Sequence, residues 1–316
     1  MTHSLKRLAA AVPALLAFSL VTHPLASAAW AQSAAATHLE DASGRKVQIR
    51  DAKRVVTLGG GITEIVYALK AGSRVVGTDI TSVYPREVLR LPKVGQDRRV
   101  SAEGVIALNP SLVIASKDAE PSSALNQLRA MGVSVLLVSD EQSLAGARAR
   151  IQLIAQALGV DAEGKRLLST LNRQTSEAQA IATPPRPLKV LFIYARGAGS
   201  LNVAGSDTAA HAMLTLAGAQ NAVTEFTGYK PFTAEAAIKA APDLILLTDS
   251  GAKSLGGADA VFKLPGLAQT PAGAAKRVVA MDDLLLLGFG PRTGQALKDL
   301  RQALYLAPKA PKTATP

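Results

Sequence analysis

The 316 residues are 48% hydrophobic, 19% charged and 4% aromatic, and 35 Lys and Arg against 24 Asp and Glu give a net charge of +11. This is the composition of a globular chain long enough for one large domain or for two lobes with separate cores. Cysteine is absent, which excludes a disulfide framework, a thiolate zinc site, a cysteine-ligated iron–sulfur cluster and a cysteine nucleophile.

Residues 1–31 read as a secretory signal. Lys6 and Arg7 form its basic start, Leu8–Val21 its apolar run, and Ala26-Ser27-Ala28 or Ala29-Trp30-Ala31 a small-x-small cleavage site. The run is shorter than the roughly 20 residues that a membrane span needs. Cleavage after Ala31 is expected, and with no cysteine to lipidate, the mature protein is expected free in a bacterial periplasm. It keeps most of the positive charge, but its basic residues are scattered singly and aromatics are few. Nucleic-acid binding, which wants basic grooves interleaved with aromatic platforms, is not expected.

Along the mature chain, Lys53–Leu58 predicts a buried strand that ends in Gly59-Gly60-Gly61. A helix is predicted over Thr63–Leu69, closed by Gly72, followed by strands at Val75–Thr78, Ser111–Ala115 and Val133–Val138. Continuous apolar strands alternating with amphipathic helices imply a parallel sheet covered on both faces. Ser143–Gly159 and Ala162–Ala182 are proline-free and helical, with Asp161 as N-cap of the second, which Pro184-Pro185 and Pro187 stop. The strand pattern restarts at Leu188–Tyr194, with helix near Thr208–Gly218 and strands at Asp243–Thr248 and Arg277–Met281.

The expected fold is therefore α/β: two Rossmann-like lobes with parallel sheets, joined by one long rigid helix, with a ligand cleft between them. The boundaries expected are a signal peptide over 1–31, an N-terminal lobe over 32–160, a linking helix over 161–183, a C-terminal lobe over 184–307 and a disordered tail over 308–316.

An internal echo supports two equivalent lobes. Ser101-Ala102-Glu103 precedes Ile106, Pro110, Leu112 and Val113; Thr233-Ala234-Glu235 precedes Ile238, Pro242, Leu244 and Ile245, always 132 residues later. Each copy reads as a hydroxyl N-cap with a glutamate in the first turn. Helix-dipole complementarity explains that pattern by itself; an equivalent acidic knob on each lobe, offered to a two-fold partner, is the sharper alternative.

Together these features resemble the periplasmic binding proteins of bacterial ABC importers, in the class whose lobes are joined by a long helix and which carries ferric siderophores, cobalamin and haem. The resemblance runs from Leu39–Arg45 to Gly288-Phe289-Gly290-Pro291-Arg292. Its most telling stretches are Gly77-Thr78-Asp79, Ser82-Val83-Tyr84-Pro85, Leu91-Pro92-Lys93-Val94-Gly95 and Gly228-Tyr229-Lys230-Pro231-Phe232. Within the class, the chain is most similar to the haem-binding subgroup. The resemblance implies a carrier of ferric haem b that delivers its cargo to a dimeric ABC permease with its ATPase subunits. It also implies that Glu103 and Glu235 dock into arginine pockets on the two permease subunits.

In this subgroup a tyrosine supplies the axial oxygen to haem iron, and Tyr84 falls on that position. Phenolate is a hard anionic donor that suits Fe(III), and the bound cation drives its ionisation. Arg86, two residues on, is expected to stabilise the phenolate. Tyr229 and Lys230 are expected in a loop of the second lobe that closes over the other haem face. Arg196, after the strand ending at Tyr194, is expected where cleft ligands of open α/β sheets are met. His211 is a weaker candidate ligand, set among apolar neighbours that look like packing.

The alternative cargo is a ferric siderophore or cobalamin. An enzyme is not expected: Gly59-Gly60-Gly61 is followed by Glu64 where a dinucleotide loop needs glycine, Asp79 lacks the context of a ribose partner, and no nucleophile elbow occurs.

Overall fold

The computed structural model describes residues 37–96 and 99–306. The expected signal and tail lie outside them. The first sheet has the order β4 (Val75–Thr78), β3 (Val55–Leu58), β7 (Leu112–Ser116), β8 (Ser134–Val138), all parallel. Every side chain of β3 is buried, which is why this strand reads as an unbroken apolar run without alternation. Helices α1 (Gly60–Ala68), α2 (Ala102–Ala107) and α3 (Ser122–Ala130) connect the strands. Two short antiparallel pairs flank the sheet: β1 (Thr37–Glu40) with β2 (Lys46–Ile49), and β5 (Gly95–Gln96) with β6 (Arg99–Val100).

Helix α4 (Leu144–Leu158) starts on the Ser143 hydroxyl, which accepts a hydrogen bond from the Gly146 N–H, and stops at Gly159 in the left-handed region. Glycine meets no Cβ penalty there, so α4 ends cleanly and the chain turns at once into α5 (Asp161–Gln179). The N-cap of α5 is Val160, without a side-chain cap; Asp161 instead sits in the first turn, where its charge complements the helix dipole. At 19 residues α5 is about 29 Å long. Leu171 from its middle is buried in the first core and Ala178 from its end in the second, so one rigid helix belongs to both lobes.

The second sheet centres on β9 (Lys189–Ala195). Strand β13 (Leu244–Thr248) pairs with it in parallel, and β14 (Val278–Met281) pairs in parallel with β13. On the other side β10 (Leu201–Ala204) and β12 (Tyr229–Pro231) add an antiparallel edge, and β11 (Gln220–Asn221) pairs in parallel with β9. The sequence pattern does not announce that edge: β12 has three residues, all exposed, and so carries no hydrophobic periodicity. Tyr229 and Lys230 therefore lie in an edge strand and not in the expected loop. Helices α6 (Ala209–Leu216), α7 (Ala234–Ala240), α8 (Asp249–Ser254), α9 (Pro271–Ala274), α10 (Asp283–Leu287) and α11 (Thr293–Tyr305) complete the lobe.

The lobes meet at backbone distance along the cleft floor. A methyl group on Gly61, in the first turn of α1, would lie 2.5 Å from the Gly288 carbonyl oxygen of the second lobe. Arg150 on α4 spans the same seam: its buried guanidinium donates to the carbonyls of Ser139 and Glu141 in the first lobe and of Phe289 in the second, at 2.7, 3.0 and 2.8 Å. Gly61→Ala is expected to destabilise the fold by about 1–3 kcal/mol, because backbone must move to admit the methyl group. Chemical denaturation checks this, and an unchanged midpoint would show that the seam is looser than its geometry.

The cleft and its tyrosine lip

A cleft of about 1140 Å³ opens above that seam, bounded by Gly59–Ile62, Asp79, Thr81 and Val83 of the first lobe and by Tyr194, Arg196 and Tyr229 of the second. It exceeds the roughly 300–1,000 Å³ of ordinary small-molecule sites. The glycine run after β3 forms part of its floor.

On the first-lobe lip the chain leaves β4 and presents Ile80, Val83, Tyr84 and Leu89, each between 45% and 54% exposed. Of these Val83 lines the cleft and Tyr84, next to it, does not; apolar side chains left open beside a cleft mark an interaction surface. The loop that carries them is fastened from beneath. Asp79 accepts from the Thr81 and Ser82 hydroxyls at 2.6 and 2.7 Å, and Thr81 Oγ1 accepts from the Gly60 N–H at 2.9 Å. Ser82 Oγ lies 2.7 Å from Thr63 Oγ1, itself 2.7 Å from Thr57 Oγ1. A hydroxyl has one proton, and that of Ser82 goes to Asp79, so Thr63 shares its proton between Ser82 and the Gly59 carbonyl, 3.2 Å away, and Thr57 donates to Thr63. Lys93 Nζ donates to Thr78 Oγ1 and to the carbonyls of Ser82 and Val88, on either side of Tyr84. Burial lowers the Lys93 pKa, against the pull of Asp79. Asp79 thus anchors the tyrosine loop.

Tyr84 does not meet Arg86. The 3-10 turn Arg86–Arg90 buries only Val88, which carries Arg86 to the exposed side. The cation at Tyr84 is Arg292, from the start of α11 in the second lobe, whose guanidinium carbon lies 4.0 Å from the centre of the tyrosine ring. Arg292 is held by Glu64 of α1 through two hydrogen bonds, Nε to Oε1 and Nη2 to Oε2, the latter at 3.2 Å. Burial pushes the Glu64 carboxyl above its usual range, against the hydrogen bond and charge of Arg292. Burial also opposes the charge on Arg292, yet Glu64, together with Asp282 and Tyr84, outweighs it and the guanidinium pKa is raised. Sequence reasoning missed both residues. The available signals were a lone carboxylate inside the apolar run Ile62–Val66 and the arginine closing Gly288–Arg292.

On the opposite wall Tyr229 and Arg196 both line the cleft. Arg196 Nη2 donates to the Tyr194 hydroxyl at 2.8 Å and its guanidinium lies over that ring, while the Tyr194 and Tyr229 rings are tilted at 6.0 Å. Lys230 lies outside the lining. Neighbouring residues of a strand point to opposite faces, so with Tyr229 toward the cleft, Lys230 projects away and its Nζ sits 4.8 Å over the Phe226 ring. His211 is half-buried on α6, does not line the cleft, and its Nδ1 has no hydrogen-bond partner.

Glu103 and Glu235 are exposed in the first turns of α2 and α7. Ser101 and Thr233 cap these helices identically, accepting from the N–H groups of Gly104 and Ala236 at 3.2 Å.

Two α/β lobes with a cleft between them, a shared rigid helix and a lip of open apolar side chains define a binding protein built to hold a ligand between its lobes. The model of the periplasmic binding protein family matches residues 55–285. The chain is 34% identical over 272 residues to the uncharacterized ABC transporter substrate-binding lipoprotein YvrC of Bacillus subtilis, covering 84% of this chain and 85% of that one. Among solved structures it is similar to the periplasmic heme-binding protein RhuT from Roseiflexus sp. RS-1 in apo form, with 44% identity and a TM-score of 0.76, covering 81% of this chain and 99% of that one. It is also similar to the periplasmic heme-binding protein BhuT in complex with two hemes, with 41% identity and a TM-score of 0.76 over the same shares. The chain belongs to the periplasmic binding protein family. Membership makes it a periplasmic carrier and not an enzyme, as expected from the sequence.

Proposed function

We propose that the protein captures ferric haem in this cleft, with Tyr84 as the axial iron ligand, and delivers it to a cognate ABC permease and ATPase for haem and iron uptake. The observation that carries the reading is Tyr84 itself: a tyrosine 45% exposed, next in the chain to the cleft-lining Val83, on a loop held from beneath by buried hydrogen bonds. Such a side chain is available to a ligand and is not part of the core. Val83 beside it and Tyr229 opposite supply apolar surface for a porphyrin face.

The charge of the cleft orients the cargo. Asp282 and Asp283 lie on its wall, with Asp283 accepting from the Ser250 N–H at 3.0 Å. Two haem propionates would be repelled there and drawn toward Arg196, so the reading puts the propionate edge at the Tyr194–Arg196 wall. Arg86, exposed beside the mouth, is available to a propionate and not to the phenolate. Glu103 and Glu235, alike in capping and exposure, are the contacts to the two permease subunits.

The test is a titration of the mature protein with hemin, and with cobalamin and a ferric siderophore in parallel. Saturable binding of hemin alone, with a Soret band and the charge-transfer bands of a ferric tyrosinate, is the expected result. Saturable binding of either other ligand with no hemin binding would overturn the reading.

A further inference from the structure

The contact between Tyr84 and Arg292 joins the two lobes. Tyr84 hangs from the loop after β4, in the first lobe, while Arg292 opens α11, whose Leu297, Leu300 and Leu304 are buried in the second core. The guanidinium is set by a fork: Nε and Nη2 both donate to the Glu64 carboxylate, which is itself 97% buried, and Nη2 also lies 3.8 Å from Asp282 Oδ1. A guanidinium paired on its edge this way has its planar face left for stacking, and that face lies over the Tyr84 ring. The Tyr84 hydroxyl makes no hydrogen bond among the described residues, so this stack is what restrains its ring.

Resting on the reading of Tyr84 as the axial ligand, we propose that Arg292 is the positioning residue of that ligand, and that by reaching Tyr84 from the other lobe it ties iron ligation to the angle between the lobes. The ring of an axial tyrosine must be aimed at the iron, and the torsion that aims it is otherwise free at an exposed position. Arg292 restricts that torsion, and the phenolate formed on binding iron is attracted to its charge. Any motion that draws the lobes apart pulls Arg292, which belongs to the second lobe, away from Tyr84 and Glu64, which both belong to the first. Withdrawal of Arg292 loosens the phenolate, so opening by the permease favours release of cargo.

The test measures hemin transfer from the loaded mature protein to excess apomyoglobin, with absorption spectra before mixing. Arg292→Gln is expected to speed transfer about 2- to 30-fold, the range that loss of a cation–π contact represents, and to shift the charge-transfer bands. Arg292→Lys, which keeps the charge, is expected to recover most of the native rate. Because Arg292→Gln leaves Glu64 buried without its partner, Glu64→Gln/Arg292→Gln is measured as well, with the melting of each apo protein. Native rates and spectra in both glutamine variants would overturn the proposal. So would a lysine variant as impaired as the glutamine one with an equal loss of apo stability, the mark of a purely structural role. Tyr84→Phe separates the two readings: if it keeps the native spectrum and rate, the axial assignment fails whatever Arg292 does.

Discussion

Tyr84→Ala is expected to abolish the tyrosinate charge-transfer bands of the hemin complex and to weaken hemin binding by at least about 30-fold, the factor that loss of a 2 kcal/mol hot-spot contact represents. The physical ground is that the substitution removes an oxygen that would be bonded directly to iron, while the porphyrin keeps its apolar contacts with the cleft. Binding should therefore fall without vanishing. The fold should not notice. Tyr84 is nearly half exposed, and the buried links of its loop run through Asp79, Ser82 and Lys93, so apo stability should change by no more than about 0.5 kcal/mol. Spectroscopic titration and calorimetric melting of the same preparation check both halves. An unchanged spectrum would move the axial role elsewhere on the cleft wall, with Tyr229 the next oxygen donor.

Glu103→Lys/Glu235→Lys is expected to abolish stimulation of the transporter ATPase while leaving hemin affinity within a factor of about two. Each glutamate stands in the first turn of a helix on a different lobe, so a two-fold symmetric permease can engage both at once. Reversing one charge replaces an attraction with a repulsion, and like charges facing each other at an interface cost several kcal/mol; reversing both acts twice. Neither residue lines the cleft, which is why cargo binding should survive. The reversal also opposes each helix dipole, worth about 0.3–1 kcal/mol per site, so a small drop in melting temperature is expected. Reconstitution of the binding protein with its transporter in vesicles measures the ATPase effect. Loss of hemin binding in this variant would refute the separation of cargo site from docking site.

Where burial or local chemistry dictates structure, the sequence and the fold agree. The central strands of both sheets are predominantly apolar and buried, so β3, β7, β9 and β13 could be placed within two residues. The hydroxyl caps of Ser101 and Thr233 act within three residues of themselves and were legible for the same reason. Short exposed elements were not: β12 and the antiparallel edge it completes have no periodicity, since nothing on them is buried. The N-cap of α5 was assigned to Asp161 by residue type, whereas the α4–α5 turn at Gly159 puts Val160 at the cap and Asp161 in the first turn.

The site divides along the same line. Sequence alone pointed to a tyrosine, flanked by Val83 and Pro85 in a recognisable stretch, as the proposed ligand to haem iron; to Tyr229 and Arg196, which line the cleft; and to two equivalent exposed glutamates outside it. These follow from local chain chemistry and from family resemblance carried by contiguous residues. Only the tertiary structure decided which cation meets the tyrosine. Arg86 is two residues away and Arg292 is 208, yet a 3-10 turn packed on Val88 carries the near one to solvent, while the packing of α11 against α5 and of Gly288 against Gly61 brings the far one to the ring. A pairing between two lobes depends on how they dock, and docking is set by side chains distant in sequence. No window along the chain contains it.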